Sequence, residues 1–262
     1  MMNSPFLRNR RRKLAAAAGE AAKIGTAQPR DEKTQAGQEY ASLKVRLDEY
    51  LRQLADTASH EARVPMKAKF LADFAQWVDG VIEADAPVED DIVMTSLVWA
   101  IDTGDFHRAV EIGRFALRHG LKMPERYNRS VATFLREDIA EIEIADAGTV
   151  DLQTLVEIDA LTQGADMPDP AKAKLHKALG RAWRTKSENA EPTDDSAPAG
   201  GKAAFVAEAL AQLRRALALD KKAGVKKDIE RLEKVERDLR AEGEAASEGE
   251  GDEQNSAGGD AS

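Results

Sequence analysis

At 262 residues the chain is long enough to bury a substantial core. Charged residues make up 32% and aromatic residues 5%, with Ala, Leu, Glu, Lys and Arg abundant. That mixture favours helices, and no run of alternating β-branched residues suggests a strand. The absence of cysteine excludes disulfides and thiolate metal sites and fits a reducing compartment. No apolar stretch approaches the roughly 20 residues needed to span a bilayer. The Arg-rich start followed by LAAAAGEAA mimics a signal peptide, but Glu20 and Lys23 interrupt the apolar run, so a cytoplasmic protein with no membrane partner is expected.

The net charge of −9 hides an asymmetry: residues 1–30 hold seven Lys/Arg and one acidic residue, whereas residues 241–262 hold seven Asp/Glu and no basic residue. Residues 1–37 are expected to form a basic, mostly disordered arm. Its cluster Arg8, Arg10, Arg11, Arg12 and Lys13 is suited to phosphate contacts that add affinity without reading sequence. Five such cations would supply a salt slope of up to about −4 on duplex DNA, at roughly −0.9 per neutralised phosphate.

Residues 38–64 contain an amphipathic helix in which Tyr40, Leu43, Leu47, Tyr50 and Leu54 alternate by three and four. This heptad seam serves either packing on the chain's own domain or self-association into a homo-oligomer. A helical core is expected over 65–186. Pro65 is read as opening its first helix, with Phe70, Leu71, Phe74, Trp77, Val78, Val81 and Ile82 forming a wide apolar face. The stretch Asp90–Pro124 reads as two helices joined at Asp102-Thr103-Gly104-Asp105. Asp105 is placed to cap the second helix, and Gly120 suits the left-handed residue past its end. Ala109, Gly113 and Ala116 are small enough for these two helices to approach closely. Further helices are expected over Ser130–Ala145, from Leu152, and over Asp169–Lys186, the last opened by a capping Asp169 before Pro170. Residues 187–201, SENAEPTDDSAPAGG, read as a flexible linker, residues 202–240 as a helical pair completing the core, and residues 241–262 as a disordered acidic tail. The fold class is all-α, built of helical hairpins with degenerate tetratricopeptide-like pairs.

Chemistry is sparse. No phosphate-binding GxxxxGK[ST] loop exists, and the four histidines show no two-His metal spacing. Asp90, Asp91, Asp102 and Asp105 cluster in sequence at the Asp90–Pro124 hairpin. A two-metal nuclease needs converging carboxylates about 4 Å from shared cations, so these four are the candidate catalytic residues, with Mg²⁺ as cofactor, under a nuclease reading. Their alternative use is at helix ends, and otherwise no cofactor is expected.

The run DDIVMTSLVWAIDTGDFHRAVEIGRFALRHGLKMP resembles the small terminase subunit family of tailed double-stranded DNA phages, in the branch labelled "terminase, endonuclease subunit". WVDGVI at 77–82, ADMPDPAKAKLHK at 165–177 and AGVKKDIERLE at 223–233 resemble it in matching order, so the likeness covers about residues 36–240. The 187–201 linker and the acidic tail depart from the family pattern. The resemblance implies recognition of a packaging site on concatemeric double-stranded viral DNA, assembly as an oligomer, and partnership with a large ATPase subunit that cuts cohesive ends. It assigns no catalytic residue in this chain. Two other readings stand beside it: a metal-dependent endonuclease in its own right, and a helical-repeat adaptor without DNA contact.

Overall fold

The computed structural model describes residues 33, 35–85, 87–190 and 201–256, with residue 35 and residues 243–256 described by backbone alone. The Arg8–Lys13 cluster therefore lies outside the described residues, as do residues 191–200 of the expected linker and the last six of the tail. Nine helices occur among the described residues: α1 (Gln35–Asp56), α2 (His60–Ala84), α3 (Asp91–Asp102), α4 (Phe106–His119), α5 (Val131–Ala145), α6 (Leu152–Thr162), α7 (Asp169–Glu188), α8 (Gly201–Leu219) and α9 (Lys226–Ser256). The fold is all-α, and no helix of the described residues is long and apolar enough to cross a membrane.

Helix α3 is the centre. Its sequence DIVMTSLVWAID is apolar on every side, and all residues from Ile92 to Ile101 are buried, a wider burial than the single apolar face of Ile92, Val93, Ser96, Leu97 and Ala100. Helix α2 covers one side of it, with Phe70 and Phe74 centred 5.7 and 6.4 Å from Trp99. Contact pairs fix the directions. Lys67 meets Asp102 and Trp77 meets Asp90, so α2 and α3 run antiparallel. Tyr40 stacks on Trp77 and Tyr50 on Phe70, so α1 and α2 do too. Along the α7–α8 pair Trp183 meets Phe205, Gly180 meets Leu213 and His176 meets Gln212, again antiparallel. Neighbouring helices thus pair as antiparallel hairpins, without a regular repeat among the described residues.

Two close approaches depend on glycine. A Cβ on Gly180 would lie 2.5 Å from Leu213 Cγ and 3.2 Å from the Ala209 carbonyl oxygen, so the missing side chain sets the α7–α8 spacing. A Cβ on Gly113 would lie 2.7 Å from Leu135 Cδ1. Gly113 therefore accommodates α5, not α3 as its place in the α3–α4 hairpin suggests.

The helix ends confirm some expected caps and relocate others. Asp105 accepts from the Arg108 N–H at 3.1 Å, and Gly120 is left-handed at φ 63°. Helix α2 starts at His60, five residues before Pro65: Ser59 caps it through the Ala62 N–H, and Pro65 sits inside the helix. The serine hydroxyl satisfies an orphan donor of the first turn. Asp169 does not cap α7. Pro168 occupies that position with no side-chain bond, and Asp169 lies in the first turn, 3.7 Å from Lys172 Nζ. Helix α9 continues past Arg240 to Ser256, although its apolar stripe of Ile229, Leu232, Val235 and Leu239 ends near the expected boundary. Between α5 and α6 the buried Glu143 accepts from the Gly148 and Val150 N–H groups at 3.0 Å, giving the turn the acceptor its backbone lacks.

Candidate nucleic-acid interface

The acidic hairpin residues do not converge. Asp90 and Asp91 stand at one end of α3, Asp102 and Asp105 at the other, about 17 Å apart at 1.5 Å rise per residue. Asp90 is 2% exposed, and its Oδ1 accepts from the Ile92 and Val93 N–H groups at 2.9 and 3.0 Å while Oδ2 accepts from Trp77 Nε1 at 3.0 Å. Asp91 pairs with Lys44 at 3.0 Å and Asp102 with Lys67 at 2.7 Å. Asp105 is the α4 cap. Each carboxylate has structural work at its own helix end. The later acidic stretch is likewise engaged: Asp138 and Glu137 hold Arg129 at 2.7 and 3.1 Å, and Glu137 and Glu141 hold Lys174. Among the described residues no three or more His, Asp or Glu side chains are grouped to hold a metal ion.

The heptad seam faces inward. Leu47 and Leu54 are buried, Tyr40, Leu43 and Tyr50 pack against the same core, and the Tyr50 hydroxyl donates to Asp73. That bond, with burial, raises the Tyr50 pKa above 10.0. The seam therefore packs against α2 and α3 of the same chain, with Tyr40, Leu43 and Tyr50 partly buried.

One exposed stretch of the described residues is cationic. The turn from α8 into α9 reads Lys221-Lys222-Ala223-Gly224-Val225-Lys226-Lys227, and all four lysines are exposed. None of the four makes an ion pair among the described residues. Two of them open α9 at its positive end, where cations are disfavoured and anions favoured. The acidic residue of that first turn, Asp228, is buried and committed to Arg181 and Arg184 at 3.1 and 3.4 Å. Lys177 props the turn from α7, its Nζ donating to the Ala223 carbonyl at 2.9 Å. Burial lowers the Lys177 pKa, and the neighbouring Arg181 lowers it further. The result is a cationic ridge flanked by two carboxylates, Asp228 committed to the arginines and Asp220, whose Oδ1 accepts from the Lys222 N–H at 2.8 Å, and such a run of lysines suits a phosphate backbone. Sequence reasoning noticed AGVKKDIERLE only as a family likeness. The signal was there, four lysines in seven residues with no acid among them.

The Phage small terminase subunit family model matches residues 44–170. Over 198 residues the chain is 39% identical to the "Terminase, endonuclease subunit" of Escherichia phage P2, covering 74% of this chain and 73% of that protein. The chain belongs to the phage small terminase subunit family. Membership gives this terminase subunit a role in phage DNA packaging. The matched segment runs from within α1 to the start of α7 and contains the whole acidic hairpin, whereas the lysine turn lies beyond it. No solved structure matches the chain.

Proposed function

We propose that this terminase subunit binds double-stranded viral DNA at the packaging site of the concatemer. In the host cytoplasm it directs the large ATPase subunit to cut cohesive ends and begin packaging. The observation that carries this reading is the unpaired lysine turn at the positive end of α9, acting with the N-terminal arginine cluster. The arm and the turn are two separate elements whose cations suit phosphate contacts, which position a protein on the duplex without reading sequence. Fluorescence anisotropy on a labelled packaging-region duplex tests the reading. Reversing Arg10, Arg11 and Arg12 to Glu, or Lys221, Lys222, Lys226 and Lys227 to Glu, weakens binding at moderate salt. Unchanged binding in both variants refutes it.

A second reading rests on the name of the phage P2 relative, an endonuclease subunit: the chain cuts DNA itself. Nicking of cognate DNA by the purified chain with Mg²⁺, abolished by Asp91→Asn and Asp102→Asn, would establish it. Cutting that requires the large subunit would overturn it. The separation of these carboxylates along α3 favours the first reading.

A further inference from the structure

Helices α5, α6, α7 and α8 line a half-open cavity of about 480 Å³ that shares nothing with the acidic hairpin or the lysine turn. Arg136 lines it from α5. It is 3% exposed, gives one Nη–H to Asp159 of α6, and keeps a buried Nε–H with no acceptor. A guanidinium presents five donors in a fixed fork, so one carboxylate leaves it far from satisfied. From α7 comes His176, whose Nδ1–H donates to Gln212 Oε1 at 2.7 Å. The Gln212 orientation is set by its Nε2–H group, which donates to the buried Glu208 at 2.9 Å. That chain fixes the imidazole ring and leaves Nε2 as its spare polar atom. Arg215 of α8 and Lys172 of α7 complete the lining.

The charges do not balance. Among the lining residues Arg136, Arg215 and Lys172 outnumber the Asp159 carboxylate, and the field of Arg215 acts unfavourably on both Arg136 and His176. Lys172 has one distant partner, Asp169 at 3.7 Å. Like charges gathered around a cavity, with a buried donor unmet, are relieved by an anion that accepts several hydrogen bonds at once. The volume falls in the range of small-ligand sites.

We propose that this cavity binds a phosphoryl oxyanion, held by Arg136, Arg215 and Lys172. The oxyanion belongs either to a free nucleotide or to a nucleic-acid backbone. The inference does not rest on the packaging reading, because inorganic phosphate alone probes it.

Isothermal titration calorimetry of the full chain with inorganic phosphate and with adenosine monophosphate is the test. Saturable binding is expected in the millimolar range or tighter. Arg215→Gln, at an exposed position that leaves the fold intact, weakens it about tenfold, as loss of a charge-assisted bond does. Asp159→Asn, which removes the competing carboxylate, tightens it. Displacement of the nucleotide by a short duplex assigns the oxyanion to the nucleic-acid backbone, and failure of the duplex to compete assigns it to a free nucleotide. No heat of binding in the millimolar range, or equal binding by wild type and Arg215→Gln, overturns the proposal.

Discussion

Replacing Asp90 by alanine should separate the structural reading of the acidic hairpin from the catalytic one. The substitution removes the α3 N-cap, worth about 1 kcal/mol, together with the acceptor of the Trp77 indole N–H. An orphaned buried donor costs about 1–3 kcal/mol, and Trp77 is half-buried, so the lower part of that range applies. The sum is about 2–3 kcal/mol. For a chain of this size that lowers Tm by roughly 5–10 °C. Asp91→Ala, next door, deletes an exposed pair with Lys44, whose side chain and partner are 36% and 52% exposed. Such pairs are worth about 0–1 kcal/mol. Thermal and urea melts followed by circular dichroism on both variants measure the difference, with Asp90→Asn as an intermediate that keeps an acceptor oxygen. Equal stability of the two alanine variants would refute the claim that Asp90 is the keystone of this end of α3.

Other consequences follow from the same contacts. Gly180→Ala should cost about 1–3 kcal/mol, because the new Cβ meets Leu213 and a carbonyl oxygen of α8, and Leu213→Ala in the same chain should recover part of the loss in a double-mutant cycle. Leu47→Ala, in the seam that faces the core, should cost about 2–5 kcal/mol, whereas Val45→Ala on the exposed face of α1 should be neutral in denaturant melts. Burial depresses the His176 pKa below its ordinary 6.5, so the unfolded chain takes up the proton more readily. Stability should therefore fall as pH drops below about 6.5, and His176→Gln should flatten that fall in urea midpoints measured across the same window.

The fold was largely legible because its signals are local. Periodicity marked the helices, and Asp105 and Gly120 marked the ends of α4 by residue type alone. Signals that depend on a distant partner were not. Nothing near Gly113 says that Leu135 of α5 lies against it, and nothing near Asp90 says that the Trp77 indole will claim its second oxygen. The Tyr40–Leu54 seam has the period of a coiled coil, and that period is the same whether the partner is another chain or α2. Pro65 misled for a related reason: a proline near a helix start resembles a first-turn residue, and the weaker letter Ser59 held the cap. At the site, the acidic residues drew attention by proximity in sequence, yet a helix of 12 residues separates them in space. The lysine turn was a charge run in plain view, and only the commitment of Asp228 to two arginines shows why its charge is left unanswered.

The central claim is that the chain meets DNA through cations on two separate elements. The most direct test is the salt dependence of binding by the full chain to packaging-region duplex, compared with variants lacking either cluster. At roughly 0.9 per phosphate, neutralising Lys221, Lys222, Lys226 and Lys227 should shallow the slope of log K against log salt by up to about 3.6, and neutralising Arg10, Arg11 and Arg12 by up to about 2.7. Slopes that match the wild type in both variants would contradict the account.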